Sequence, residues 1–256
     1  MRWQCHDLFH RMPPGATAGG IAVVIDVLRA STTIVTALAH GAAVVLPRRS
    51  VAEAQAAAAA RATTAARAGA VLGGERGGVR IAGFDLGNSP AEYTADRVAG
   101  RPVVITTTNG TAALAACHEA AAVVVGAIVN RTAVAATARR LAAARGCDAI
   151  HIVCAGTDGH VTEEDVLAAG AILEAAGCDE RLDEAAEAAR ERFRAVAAAG
   201  RDGLEQRIAT TFRTARGGAN LIALGMESDL ALAAAIDSLT VVPWLDRQAE
   251  ALVAAS

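Results

Sequence analysis

The chain contains no lysine; apart from histidine, every basic side chain is arginine. That excludes any catalytic lysine and the phosphate-binding P-loop that depends on one. Aromatic residues make up only 3% of a composition that is 53% hydrophobic, so the core must be built from small aliphatic side chains. The five cysteines, Cys5, Cys117, Cys147, Cys154 and Cys178, are odd in number and show no C-x-x-C spacing. Neither a disulfide frame nor a zinc site is expected from them. A net charge of -3 gives no basic footprint for nucleic acid, and no apolar run is long enough to span a bilayer. The first residues lack a basic stretch followed by an apolar one, so a globular protein of the cytoplasm is expected, with no nucleic-acid or membrane partner. A homo-oligomer is compatible with this composition.

What is present is organised around Ile21 to His40. This stretch opens as a continuous Val/Ile run suited to a strand buried on both faces. It breaks into a polar turn with Asp26, Arg29, Ser31, Thr32 and Thr33, then resumes with helical period through Ile34, Val35 and Leu38. A strand delivering a loop to a helix N-terminus is where open α/β sheets bind ligands, and an anion is the expected guest. The plainer reading makes Asp26 a turn residue and Ser31 an N-cap.

Repetition favours the ligand site. Val23 and Val103 stand eighty residues apart, and the same offset places Asp26 on Thr106, Arg29 on Asn109 and Ser31 on Thr111. Thr106 to Thr111, with Gly110, again follows an apolar run and precedes a helical pattern. A third unit sets the strand Ile150 to Cys154 before a loop and a helix beginning at Glu163. Thr162 and Asp165 have capping-box spacing, but Glu163, Glu164 and Asp165 in succession also offer the hard oxygen ligands that Mg2+ prefers.

Between the repeats, Ala42 to Leu46 predicts a strand ended by Pro47, and Val51 to Ala68 a covering helix. Val71 to Pro90 reads as a loop, with four glycines in its first eight residues, and carries Glu75, Arg76, Asp85, Asn88 and Ser89. Asn130-Arg131-Thr132 is a further polar strand end. After helical patterns from Leu182 to Phe212, Ala219 to Leu224 and Ser228 to Ile236, Thr240 to Val242 reads as a last strand. In residues 1 to 20, Cys5 and Arg11 mimic the spacing of cysteine phosphatases, and His6 with His10 mimics a zinc helix. Pro13-Pro14 forbids the supporting helix, and too little chain precedes Cys5 for a strand. An atypical segment 1–20 followed by one α/β domain over 20–256 is the expected organisation.

Several blocks then carry a family resemblance: D-V-L-R-A-S-T-T-I (Asp26 to Ile34), G-E-R-G-G (Gly74 to Gly78), G-F-D-L-G-N-S-P (Gly83 to Pro90), T-T-N-G-T (Thr107 to Thr111), C-A-G-T (Cys154 to Thr157), E-E-D (Glu163 to Asp165) and G-M-E-S-D-L (Gly225 to Leu230). In this order they resemble the 2-phosphosulfolactate phosphatase family, often called ComB, over about residues 20 to 245. The resemblance implies a three-layer α/β/α fold; a mixed sheet is expected, and the repeats add the expectation of two internally related lobes. It also implies a Mg2+-dependent hydrolase that releases phosphate and 3-sulfolactate from 2-phosphosulfolactate on the route to coenzyme M.

On that reading Asp26, Glu164 and Asp165 hold the metal, and Asn109, Gly110 and Thr111 fix the phosphate. Arg29, Arg76 and Arg131, with Ser31, Asn88 and Ser89, supply further donors. The nucleophile stays open between Asp26, Cys154 and a water activated by Glu75 or Asp85. Two alternatives remain: a phosphatase of another small phosphorylated 2-hydroxy acid, and a non-catalytic module that binds phosphate esters.

Overall fold

A computed structural model describes residues 1–62, 69–177 and 181–255. In chain order the elements are β1 (Arg2–His6), β2 (Ile21–Ile25), α1 (Ala30–Ala39), β3 (Val44–Pro47), α2 (Val51–Ala62), β4 (Val71–Arg76), β5 (Val79–Arg80), α3 (Ala95–Val98), β6 (Pro102–Thr106), α4 (Gly110–Ala116), β7 (Ala122–Gly126), α5 (Arg131–Arg145), β8 (Ala149–Cys154), α6 (Glu163–Ala176), β9 (Arg181–Leu182), α7 (Glu184–Ala197), α8 (Leu204–Thr214), α9 (Arg216–Ala223), α10 (Ser228–Ala234), β10 (Pro243–Asp246) and β11 (Ala251–Ala254). They form a three-layer α/β/α architecture on a mixed sheet of strand order β5-β4-β6-β3-β11-β10-β7-β2-β8-β1-β9.

The composition of β2 explains the layers. All five of its residues are buried. Ile21, Val23 and Ile25 join one apolar cluster with α5 and α6, while Ala22 and Val24 face a second cluster shared with α1 and α4. A strand covered on both sides has no polar positions, hence its unbroken Val/Ile run. Small residues then set the spacing between layers. At Gly170 in α6 a Cβ would overlap the Ala189 carbonyl of α7, so this helix pair approaches at backbone distance.

Strand pairing reveals how the two repeats are joined. In the first, β2, β3 and β4 follow one another in the chain; in the second, β6, β7 and β8 do. Yet β6 pairs in parallel with β3 and β4, whereas β2 pairs in parallel with β7 and β8. Each repeat therefore inserts its first strand between the other's second and third. The β10–β11 hairpin bridges β7 to β3 through three antiparallel pairings, so the halves run in opposite directions. Helices α1 and α4 nevertheless meet: a Cβ on Gly110 would lie 2.6 Å from Ala30 Cβ, and these two positions are eighty residues apart.

Three expectations are corrected. Arg2–His6 is a strand, because pairing with β8 in parallel register supplies what the short preceding chain does not. Val71 to Pro90 is not all loop: Val71–Arg76 is β4, whose Gly74 (φ 150) lets it lie against Thr106, where any Cβ would overlap the carbonyl oxygen. Thr240 to Val242 is not a strand: β10 starts one residue later, at Pro243, where proline's missing N–H costs no ladder bond, and β11 follows as the last strand. The part of the predicted Val51 to Ala68 helix beyond residue 62, and Cys178, lie outside the described residues.

Gly74→Ala should destabilise the fold by about 1–3 kcal/mol, the usual cost of overpacking. The thermal midpoint should fall by several degrees, with β4–β6 the first pairing to lose amide protection in hydrogen exchange.

Candidate active site

The loop after β2 is pinned by its own hydroxyls. The Asp26 N–H donates to Ser31 Oγ at 2.8 Å, and Thr32 Oγ1 donates to the Val27 carbonyl at 2.8 Å. Ala30 N–H donates to Asp26 Oδ1 at 3.3 Å, while Oδ2 would be 2.7 Å from a Cβ on Gly110. Glycine at position 110 is thus what makes room for the Asp26 carboxylate.

Two further carboxylates act as matched clamps. Glu75 Oε1 accepts from both the N–H (2.8 Å) and the hydroxyl (3.0 Å) of Thr108, and its Oε2 accepts from Gly78 N–H at 2.7 Å. Asp165 Oδ1 accepts from Val27 N–H and Oδ2 from Gly156 N–H, both at 2.9 Å. One carboxylate fixes the loop after β6, the other the loop after β2. Glu164 differs: Oε1 accepts from Gly217 N–H at 3.0 Å, but Oε2 is buried with no partner.

Burial pushes the Asp26 carboxyl up to about 8, with the Asp165 charge adding to the effect. Glu164 and Asp165 are likewise driven up to about 7, first by burial and then, for Asp165, by the Glu164 charge. Such a group accepts either protons or a cation. Among the described residues no three His, Cys, Asp or Glu side chains converge to hold an ion.

These loops open on a cavity of about 430 Å3 lined by Asp26, Arg29, Glu75, Asn88, Thr108 and Asn109 on one side and by Asn220, Leu221, Ala223 and Leu224 of the α9 region on another. Asn88 Oδ1 is buried there without a partner. Arg29, 3% exposed, donates to Asp229 Oδ2 (2.8 Å), to Met226 Sδ (2.8 Å) and to the Gly78 carbonyl (2.7 Å). Ser89 Oγ donates to the other Asp229 oxygen at 2.6 Å.

Other residues of the sequence reading lie elsewhere. Asp85 is exposed, and its Oδ2 accepts from Leu72 N–H, so it braces β4 instead of facing the cavity. Arg131 pairs with Asp237 at 3.0 Å and sits over the Phe193 ring, in a different cleft. Arg76 donates to Thr106 Oγ1 and to the Glu75 carbonyl. Thr111 Oγ1 donates to the Thr107 carbonyl, which withdraws it from a ligand. Cys154 is fully buried, and its hydrogen bond with Cys5, together with burial, holds the thiol far above its ordinary range. A thiol so protonated is no nucleophile. Asp165 has both oxygens committed to backbone donors, which leaves Asp26 and Glu164 as the freer carboxylates.

Sequence reasoning missed Thr108, Asp229 and the whole α9 wall. Asp229 fell within a recognised motif without a role, and Gly217 was given none. The signal was there: at Gly217 a Cβ would overlap Glu164 Oε1.

A polar cavity at the carboxyl ends of parallel strands, with buried carboxylates beside it, defines a class: an α/β enzyme acting on a small molecule. Comparison with known proteins narrows the class. The family model described as 2-phosphosulpholactate phosphatase matches residues 8–248. A probable 2-phosphosulfolactate phosphatase of Symbiobacterium thermophilum is 42% identical over 234 residues, covering 90% of this chain and 93% of its own. Its counterpart in Deinococcus radiodurans is 45% identical over 229 residues, covering 88% and 87%. The chain belongs to the 2-phosphosulfolactate phosphatase family and is a hydrolase of that type.

The raised carboxylates fix the sign of the pH dependence. Asp26, Glu164 and Asp165 bind protons in the folded chain up to pH 7–8 that the unfolded chain releases near 4, so their stabilisation is lost progressively as pH rises from about 4 to 7–8. His151, lowered by burial to about 4, acts oppositely and withdraws stability as pH falls below 6.5. Three carboxyls outweigh one imidazole, so without divalent cations the thermal midpoint should fall as pH rises from about 5 to 8 and level off above. Asp26→Asn should flatten that decline; a midpoint that rises steadily to pH 8.5 would contradict the assignment.

Proposed function

We propose that this protein is a Mg2+-dependent phosphomonoesterase that hydrolyses 2-phosphosulfolactate to phosphate and 3-sulfolactate, a step on the route to coenzyme M. The observation that carries this reading is the buried Asp26 carboxylate lining a polar cavity, with Glu164 behind Gly217 of the cavity wall and its Oε2 unpartnered. Family membership supports the reaction type.

The residues fit a divalent ion of this kind. Mg2+ is usually held by one or two carboxylates, with waters and substrate phosphate completing its shell. Asp26 and Glu164 would provide those carboxylates, with Asp165 holding the loop on which Asp26 stands. When bound, the ion supplies charge neutralisation at the phosphoryl group and a more acidic water.

The chain itself does the rest. Asn109, which lines the cavity, binds phosphoryl oxygens, and the Glu75–Thr108 bonds keep its loop in place. Glu75 lines the cavity and retains an acceptor site on Oε2, so it orients the attacking water and takes its proton. Glu75 thus carries the role that the exposed Asp85 is not placed to share.

Phosphate release from 2-phosphosulfolactate should require Mg2+ and stop with EDTA. Asp26→Asn should lower kcat/KM at least about 100-fold. Glu164→Gln should raise the Mg2+ concentration needed for half-maximal rate by about 10-fold, the effect typical of losing support for a metal. Release that persists in EDTA would refute the metal requirement, and a phosphorylated side chain trapped during turnover would refute attack by water.

A further inference from the structure

Helix α9 walls the cavity, yet little holds it there. Of its eight residues Gly217, Gly218 and Leu221 are the buried ones, and glycine has no side chain with which to anchor a helix. Glycine is also a poor helix former, so two in so short a helix weaken it from within. A non-helical joint stands on either side. Ala215, with φ -73 and ψ 155, separates α8 from α9 by a single extended residue, and Gly225 follows with φ 73. The exposed ion pair between Arg213 and Glu227 closes the base of this excursion. At its outer edge Arg216 pairs with Asp158, in the loop after β8, at 3.8 Å and again in solvent. Exposed pairs of this kind hold weakly.

Beneath the helix lies Glu164. It is 1% exposed and stands behind Gly217, whose N–H donates to Oε1 at 3.0 Å. A Cβ at position 217 would overlap that oxygen, so α9 covers the carboxylate at backbone distance. Oε2 is buried with no partner. An oxygen closed to water is closed to a hydrated ion, and Mg2+ gives up its waters reluctantly. The cover over Glu164 must therefore move before this carboxylate can serve as a ligand, and on the cavity side the cover is α9.

Resting on the reading of Asp26 and Glu164 as ion ligands, we propose that α9 is a lid, jointed at Ala215 and Gly225, that lifts to admit a divalent cation to Glu164 and settles back with the Gly217 N–H on Oε1. That N–H is then a positioning group: by occupying Oε1 it leaves Oε2 for the ion, as donors behind metal ligands do. Lid and ion are linked in both directions. The ion steadies the docked helix, and a loosened helix releases the ion sooner. Because Asn220, Leu221 and Leu224 line the cavity from the same segment, the ion site and the cavity open together.

The test reads the lid without turnover. Amide hydrogen exchange of the full chain is followed with Mg2+ and with EDTA, and ion binding is measured separately by titrating Mn2+ and following the free ion by EPR. At about ten times its Kd, Mg2+ should slow exchange across residues 216–225 about tenfold, while the amides of α2 stay within about twofold. Arg216→Asp, which sets two acids against each other at the outer edge, should speed Mn2+ release into excess EDTA about threefold, the size expected of an exposed pair. Leu224→Ser, at the other end of the helix where Leu224 packs against Gly78, should do the same, and it decides alone if Arg216→Asp does not fold. Either measurement left unchanged while Mn2+ binds overturns the lid and leaves the hydrolase reading intact. A chain that binds no Mn2+ fails one step earlier: it overturns the ion site and the lid together, while phosphate release judges hydrolysis on its own.

Discussion

The contact between Ala30 and Gly110 is the constraint on which the site depends. It brings the N-termini of α1 and α4 to within a methyl group of each other, and it leaves Asp26 no place except against the missing side chain of Gly110. Everything that faces the cavity from the strand ends follows from this approach. The Asp26 carboxylate is buried because the two helices exclude water from it, and burial gives it affinity for a proton or a cation.

The two loops that meet there are held by the same device. Glu75, at the end of β4, and Asp165, in the first turn of α6, each spend a carboxylate on one N–H of a neighbouring loop and one N–H of their own segment. What differs between the halves is chemistry. The loop after β2 carries an acid and a guanidinium; its counterpart after β6 carries hydroxyls and an amide. An architecture built from like halves thus produces an asymmetric cavity, as a reaction with a distinct nucleophile and leaving group requires.

Much of this was legible in the sequence, because buried parallel strands have no polar positions and their ends are therefore conspicuous. The eighty-residue offset and the polar loops at Asp26 and Thr106 could be read from period and composition alone. Strand β4 could not, since its glycines look like loop residues until the close approach to Thr106 is known. Nor could the fate of hydroxyls and cations be read: Thr111 and Ser31 spend their oxygens on local backbone, Arg131 is taken by Asp237, and a carboxylate such as Asp229 acquires its part only through contacts 140 and 200 residues away in the chain. Polar residues declare that they can bond, but long-range pairing decides with whom.

The exchange of first strands has a consequence for how the molecule is made. Strands β3 and β4 flank a slot that only β6 fills, and β7 and β8 flank one that only β2 fills. During synthesis the first βαβαβ stretch emerges with its sheet split and β2 unpaired, and it waits for the second stretch before either sheet can close. Assembly is consequently cooperative across the whole duplication, dominated by contacts distant in sequence, and slower than that of two units each complete in itself.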